Sequence, residues 1–458
     1  MARLFGTDGM RGEAGRFPLN AATIRVAGRS LARHLAERRA AGSGAPRIVT
    51  GRDTRESGHW IERAFIWGAR EEGAEVESAG VITTPGVAYL ARTLPADAGI
   101  VISASHNPYE DNGIKIFASN GRKLDDATER QIEADIESER GQDSKELEPG
   151  EAADDEGEAF RAHALREKYL NYLVEEIADK LTLDGLVLVV DCANGAAFEL
   201  APALLQRLGA RVIAINNTPD GRNINRDCGS LHIEGLRRKV AEERADLGVA
   251  FDGDADRALF VDARGQYVDG DATLWVMAQY LAERGRLDND TVVATVMSNI
   301  GLEMALGSKG LRLLRADVGD KYVLEELLRT GAALGGEQSG HIIFPRLSLA
   351  GDGMITTLSL LRAMRESGMG LDQLTAGFER YPQVLVNVRV REKLPFDEVE
   401  AIAGAAREVE EQLGARGRLL LRYSGTEPLA RVMIEGERQD QIEGYANDLA
   451  AVIKTALG

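Results

Sequence analysis

Apolar residues along this chain gather in short runs. Each run leads into a polar, glycine-bearing stretch, and most such stretches lead into a segment of helical spacing. The run 47–50 predicts a strand, the polar stretch 51–57 a loop, and the residues to about 72 a helix. A second strand starts at 73–76 and leads to the loop Thr83-Thr84-Pro85 and a helix. A third, 98–103, ends in Ser103-Ala104-Ser105-His106-Asn107-Pro108, and 113–117 follows as a further strand. The same order recurs in two more rounds. In the second, 185–190 and 209–212 start strands, 247–251 ends in Asp252-Gly253-Asp254-Ala255-Asp256-Arg257, and 258–261 returns. In the third, 291–296 and 310–314 precede a strand opening at Leu334, which ends in Gly335-Gly336-Glu337-Gln338-Ser339-Gly340-His341 before 342–344 returns. Strands alternating with helices predict mainly parallel sheets, with one antiparallel strand each where the chain returns. Ligands of open α/β sheets sit beyond the carboxyl ends of strands, so the three loops are expected to meet in one cleft.

Two regions stand outside this repeat. The N-terminal stretch Phe5-Gly6-Thr7-Asp8-Gly9-Met10-Arg11-Gly12 reads as a glycine-rich loop that lets backbone approach a ligand, with Arg11 as a charged donor. A helix over 24–39 and a linker over 41–46 follow. Beyond Met369 the pattern changes to a strand at 383–390, a helix at 396–413, strands at 418–423 and 430–435, and a closing helix. The expected architecture is α/β: three similar mixed α/β sheet domains in tandem plus a smaller C-terminal α+β domain, around one central cleft. The domain bounds read as 1–150, 160–257, 258–370 and 380–458. The acidic stretch 142–158 reads as a solvated linker with no assigned function.

At 458 residues the chain is too long for one core. With 44% hydrophobic but only 5% aromatic residues, aliphatic side chains must fill the cores. No apolar run approaches the roughly 20 residues that span a membrane. The N-terminus has no apolar secretory region, and two cysteines, Cys192 and Cys228, make no disulfide framework, so the expected compartment is the cytoplasm. A net charge of −18 argues against nucleic acid and anionic membranes as partners. It also requires any phosphate site to concentrate positive charge locally.

The loops carry the candidate chemistry. Ser105 reads as a phosphoryl carrier or, with Ser103 and Asn107, as an ordinary turn former before a proline. Asp252, Asp254 and Asp256 crowd three carboxylates, whose repulsion a hard dication relieves. Oxygen ligands alone suit Mg²⁺ better than Zn²⁺. An EF-hand is excluded, because Arg257 replaces its glycine and Ala263 its glutamate. Glu337, Ser339 and His341 can read sugar hydroxyls or an amino group. Arg422, Ser424, Gly425, Thr426 and Arg431 read either as a phosphate cradle or as a β-turn with a helix starting at 426–427. Lys115 is a candidate proton carrier, its pKa expected to fall beside a metal and other cations. Arg52, Arg55 and Lys321 are expected to add positive field.

Taken together, these motifs resemble the α-D-phosphohexomutases over essentially the whole chain and in the same order. The loop around Ser105 matches the family's phosphoserine loop, 252–257 its metal loop, 336–341 its sugar loop and 422–428 its phosphate loop. Gln338 and the N-terminal stretch are similar to the glucosamine branch. Tyr423 stands where a lysine is common, and Leu349-Ala350 where threonines are common; neither removes a catalytic group. The resemblance implies a phosphoserine at Ser105 and one Mg²⁺ held by Ser105, Asp252, Asp254 and Asp256. It implies Lys115 and His341 as acid and base, and Arg11 holding the reacting end. Arg257, Glu337, Ser339, Arg422, Ser424, Gly425, Thr426 and Arg431 would bind substrate. The implied reaction interconverts glucosamine 6-phosphate and glucosamine 1-phosphate through glucosamine 1,6-bisphosphate and serves a cell-wall precursor pathway. A small-molecule sugar phosphate is the implied partner, and a homodimer the assembly that analogy suggests. The competing readings are a phosphomannomutase/phosphoglucomutase, a catalytically silent sugar-phosphate sensor and a phosphatase.

Overall fold

The computed structural model describes residues 3–6, 8–39, 44–140, 156–424 and 427–458. Most of the acidic stretch 142–158 and part of the linker 41–46 lie outside these residues. The chain divides into two compact units, Met1–Val293 with Ala316–Ala376, and Ala294–Arg315 with Gly377–Gly458. Among the described residues no helix is long and apolar enough to cross a membrane.

The first sheet has six strands in the order Phe5–Gly6, Gly9–Glu13, Asp111–Ala118, Ala98–Ile102, Arg47–Arg52, Glu75–Val81. Arg47–Arg52 pairs in parallel with both Ala98–Ile102 and Glu75–Val81; the other pairings are antiparallel. The expectation of a single antiparallel strand is therefore corrected. The N-terminal stretch read as a loop supplies two further strands, with Met10 opposite Ile114 and both Phe5 and Met10 buried. Glycine hid the strand from the sequence pattern, yet the pairing needs it. A Cβ on Gly9 would stand 2.4 Å from the Ile114 carbonyl oxygen. Beneath the sheet, Ile100, Ile102, Ile114 and Ile116 share a core with Ile24, Leu31, Ile61 and Phe65 from two helices, Ala21–Arg38 and Gly58–Glu71.

The second sheet runs Tyr267–Val268, Ala258–Asp262, Leu247–Phe251, Val187–Asp191, Arg211–Ile215. Its centre is parallel, and Ala258–Asp262 returns antiparallel against Leu247–Phe251. The third is four-stranded, in the order Arg312–Ala316, Thr291–Thr295, Leu334–Gly336, Ile342–Ile343, with the last pair antiparallel.

In the second unit, Gln383–Arg389, Leu429–Glu435 and Arg418–Tyr423 form an antiparallel sheet. Period-two alternation sorts its faces. Val384, Val386, Leu419, Leu421, Val432 and Ile434 join the core shared with the helices Glu400–Leu413 and Gln439–Leu457. The opposite face carries Arg418, Arg422, Arg431 and Glu435. Buried Glu435 accepts from Arg418 Nε at 2.9 Å, Asn299 Nδ2 at 3.2 Å and the Ile300 N–H at 3.1 Å. It thereby caps the positive end of the helix Ile300–Ser308.

In the first unit, Asp352 caps the helix Gly353–Ser367 by accepting the N–H groups of Met354 and Ile355, and it also accepts the Tyr169 hydroxyl at 2.7 Å. Burial pushes its carboxyl up to about 6, against these hydrogen bonds. The folded chain thus keeps a proton that the unfolded chain releases near pH 4, so this group costs stability as pH rises from about 4 to about 6. Asp352→Asn keeps the cap and removes that cost. Urea titrations should show the variant gaining on the parent by about 2–3 kcal/mol across that window and holding the gain above it.

Candidate active site

The buried strand Ala98–Ile102 delivers the chain to Ser105, whose φ of +53° lies in the left-handed region that side-chain-bearing residues rarely adopt. A hydrogen-bonded clip holds it there. The Ser105 N–H donates to Ser103 Oγ at 2.9 Å, and Ser103 Oγ donates to Asp53 Oδ2 at 2.6 Å. Asp53 pairs with Arg55, whose Nη2 donates to the carbonyls of Ser105 at 3.0 Å and Asn107 at 2.9 Å. Arg55 Nη1 donates to the Pro108 carbonyl, and Asn225 Nδ2 reaches the Ser105 carbonyl at 2.9 Å. The expectation that Arg55 adds field toward a ligand is corrected: it is buried behind the loop and neutralised by Asp53. Arg52 and Lys321 are likewise engaged, with Glu62 at 3.1 Å and Asp126 at 2.5 Å.

Ser105 Oγ donates to Asp252 Oδ2 at 2.6 Å and lies 3.2 Å from His106 Nδ1. The two loops interlock, since a Cβ on Gly253 would stand 2.4 Å from the Ser105 carbonyl oxygen. Asp252, Asp254 and Asp256 are buried, with one oxygen from each within 4.8 Å of the others. Thr84 Oγ1 donates to Asp254 Oδ2 at 2.5 Å, and Lys115 Nζ donates to the same oxygen at 2.8 Å. Among the described residues, the buried Oδ1 atoms of Asp254 and Asp256 have no hydrogen-bond partner. Burial, with the charges of Asp256 and Asp254, pushes Asp252 well above the usual carboxylate range. An all-oxygen set with two orphaned, buried carboxylate oxygens fits a hard dication.

Lys115 Nζ also lies 3.2 Å from Asp8 and 3.5 Å from Asp256. Burial pulls its pKa down, but Asp254, Asp8 and Asp256 outweigh burial and hold it well above the ordinary value. The expected lowering is corrected for this arrangement, because carboxylates surround the ammonium. His341 Nδ1 stands 3.5 Å from Asp256. Burial opposes its charge, yet Asp256 and Asp320 raise it to about 9, so the imidazole is cationic at neutral pH. Burial and the charges of Arg257 and Arg11 press His106 down to about 4, leaving it neutral. Arg11 pairs with Asp8 and reaches the Ala104 carbonyl at 3.5 Å. Glu337 accepts the Gly319 N–H at 3.1 Å, while among the described residues the buried Ser339 hydroxyl has no hydrogen-bond partner. Arg11, His106, Arg257, Glu337 and His341 line a cavity of about 460 Å³ within this unit, in the size range of small-molecule sites.

In the second unit, Arg422 and Arg431 face each other across paired strands. Arg431 lies 3.8 Å from Glu427, and among the described residues its buried Nε has no hydrogen-bond partner. Burial and then the Arg431 charge lower the Arg422 pKa. Ser424 is buried, and its Oγ accepts the Glu427 N–H at 3.3 Å. Gly425 and Thr426 lie outside the described residues. No helix follows at Glu427, since the chain passes directly into the strand Leu429–Glu435.

Four sequence profiles of one family match the chain in order. They are phosphoglucomutase/phosphomannomutase alpha/beta/alpha domain I at 2–143, domain II at 167–265, domain III at 269–381 and the C-terminal domain at 385–452. Phosphoglucosamine mutase of Solibacter usitatus is 50% identical over 455 residues, covering 99% of each chain. That of Myxococcus xanthus is 45% identical, covering 99% of this chain and 97% of the relative. The chain belongs to the phosphoglucosamine mutases. It is an enzyme of the phosphohexomutase type, an isomerase. Solved structures agree on the fold. A phosphoglucomutase/phosphomannomutase family protein from Burkholderia thailandensis aligns with a TM-score of 0.78 at 23% identity, covering 99% of this chain and 97% of that one. N-acetylphosphoglucosamine mutase from Aspergillus fumigatus, in complex with GlcNAc-6P and magnesium, aligns at 0.63 and 19% identity, covering 92% and 85%.

Sequence reasoning on this phosphohexomutase missed several site residues. Asp53 and Asn225 brace Ser105, Thr84 orients Asp254, and Asp8, Lys123 and Asp320 surround Lys115 and His341. Thr84 carried the signal of a hydroxyl at a helix start, and Asp8 that of a carboxylate between glycines. Lys123 carried none. The clip behind Ser105 yields a test. Arg55→Met strands a buried carboxylate and removes donors from three carbonyls, so urea unfolding should show a loss of about 3–5 kcal/mol.

Proposed function

We propose that the protein interconverts glucosamine 6-phosphate and glucosamine 1-phosphate through a phosphoserine at Ser105 and a glucosamine 1,6-bisphosphate intermediate. The observation that carries this reading is the Ser105 hydroxyl 2.6 Å from Asp252, within a buried group of three carboxylates. Phospho-Ser105 donates its phosphoryl group to the sugar's 1-hydroxyl: the bond to Ser105 Oγ breaks as the bond to the sugar oxygen forms. The bisphosphate turns over, and its 6-phosphate returns to Ser105.

Asp252, Asp254 and Asp256, with the group on Ser105, would hold Mg²⁺. When bound, Mg²⁺ neutralises charge on the transferring oxygens and engages the carboxylates that otherwise hold Lys115 protonated. Lys115 and His341 then serve as the proton carriers. Arg11 and Arg257 hold the reacting phosphate, while Glu337 and Ser339 read the sugar. Arg422, Ser424, Gly425, Thr426 and Arg431 grip the phosphate that is not reacting; the juxtaposed cations Arg422 and Arg431 support this role. The working setting is the cytoplasm, with a homodimer as the assembly.

Turnover of glucosamine, glucose and mannose 6-phosphates with Mg²⁺ tests the substrate. Glucosamine 6-phosphate should give the highest kcat/KM, and preference for a neutral sugar would point to a phosphoglucomutase or phosphomannomutase. Ser105→Ala should abolish isomer formation. Release of free phosphate in place of isomer would indicate a phosphatase, and binding without turnover a sensor. Asp254→Asn should weaken Mg²⁺ binding by at least tenfold in a calorimetric titration, as loss of a charged ligand requires.

A further inference from the structure

Six side chains in the first unit close a ring of alternating charge. Asp256 faces Lys115 at 3.5 Å, and Lys115 faces Asp8 at 3.2 Å. Asp8 meets Lys123 at 2.6 Å, and Lys123 meets Asp320 at 2.6 Å. Asp320 lies 3.9 Å from His341, which returns to Asp256 at 3.5 Å. Lys123, Asp8 and Asp320 have no part in the reaction set out above.

The backbone places Lys123 firmly. After the strand Asp111–Ala118 the chain turns back on itself. The Ala118 N–H donates to the Arg122 carbonyl at 2.8 Å and the Leu124 N–H to the Ile116 carbonyl at 2.9 Å, setting Lys123 beside Phe117. Lys123 thus rides on the strand that carries Lys115. Its first partner, Asp8, also binds Arg11. Its second, Asp320, opens the helix Asp320–Thr330, and the residue before it, Gly319, donates to Glu337. One ammonium therefore joins a wall bearing Arg11 and Lys115 to a wall bearing Glu337 and His341. Without it, Asp8 and Asp320 would face each other as like charges and repel.

We propose that Lys123 is a positioning residue for the mutase reaction, bridging Asp8 and Asp320 so that the two walls stay at the separation the sugar phosphate requires. This rests on the proposed roles of Lys115 and His341. Small displacements of reacting groups cost up to about 100-fold in rate. Lys123→Met should therefore lower kcat for glucosamine 6-phosphate by roughly 10–100-fold, with KM within about threefold and the native far-ultraviolet circular dichroism retained at the assay temperature. Lys123→Arg, whose guanidinium can bridge two carboxylates, should restore most of the rate. Wild-type kcat in Lys123→Met overturns the proposal. So does a loss that Lys123→Arg fails to restore, or one that follows KM or loss of the native circular dichroism. Lys115→Met and His341→Asn, assayed alongside, separate the two claims: full activity in those variants refutes their roles, whereas full activity in Lys123→Met alone refutes the bridge.

Discussion

Three carboxylates buried within a few ångströms of one another are the constraint on which this site is built. Asp252, Asp254 and Asp256 cannot stay ionised together without compensation. The compensation comes from distant chain: Lys115 from the first sheet, His341 from the loop after Leu334–Gly336, and the Thr84 hydroxyl from a helix start. The same requirement that makes the cluster a place for a dication draws three polar loops to one point. Charge balance and loop convergence are here one fact.

Ser105 shows how a residue with a side chain is kept in an unfavourable backbone state. Its positive φ is held by donors and acceptors on both sides of the peptide, through Ser103, Asp53, Arg55 and Asn225. Almost all of that network is spent on the loop's own backbone. The division between the two serines follows: the Ser103 hydroxyl is consumed by Asp53 and the Ser105 amide, while the Ser105 hydroxyl points at the aspartates. The second unit uses a different device. The pleat along Arg418–Tyr423 sends Leu419, Leu421 and Tyr423 to the core face, and Arg418 and Arg422, with Leu420, to the other. Arg418 is consumed by Glu435, whereas Arg422 faces another cation, Arg431, across the strands.

The threefold strand–loop–helix order, the strand bounds 247–251 and 418–423, and the composition of each special loop were legible in the chain itself. These features depend on local periodicity and on glycine and proline between apolar runs, which neighbouring residues dictate. The mixed α/β fold class follows from them. What tertiary structure alone decided lies where partners are remote. Ser105 and Asp252 are 147 residues apart, and Lys115 and Asp254 are 139 apart. No local pattern shows that Lys115 is ringed by carboxylates, that Arg55 faces backwards, that the glycine-rich N-terminus pairs as strands, or that Lys123 joins two walls. Such roles are set by the field and space that other segments create around a side chain, and that environment exists only once the chain has folded.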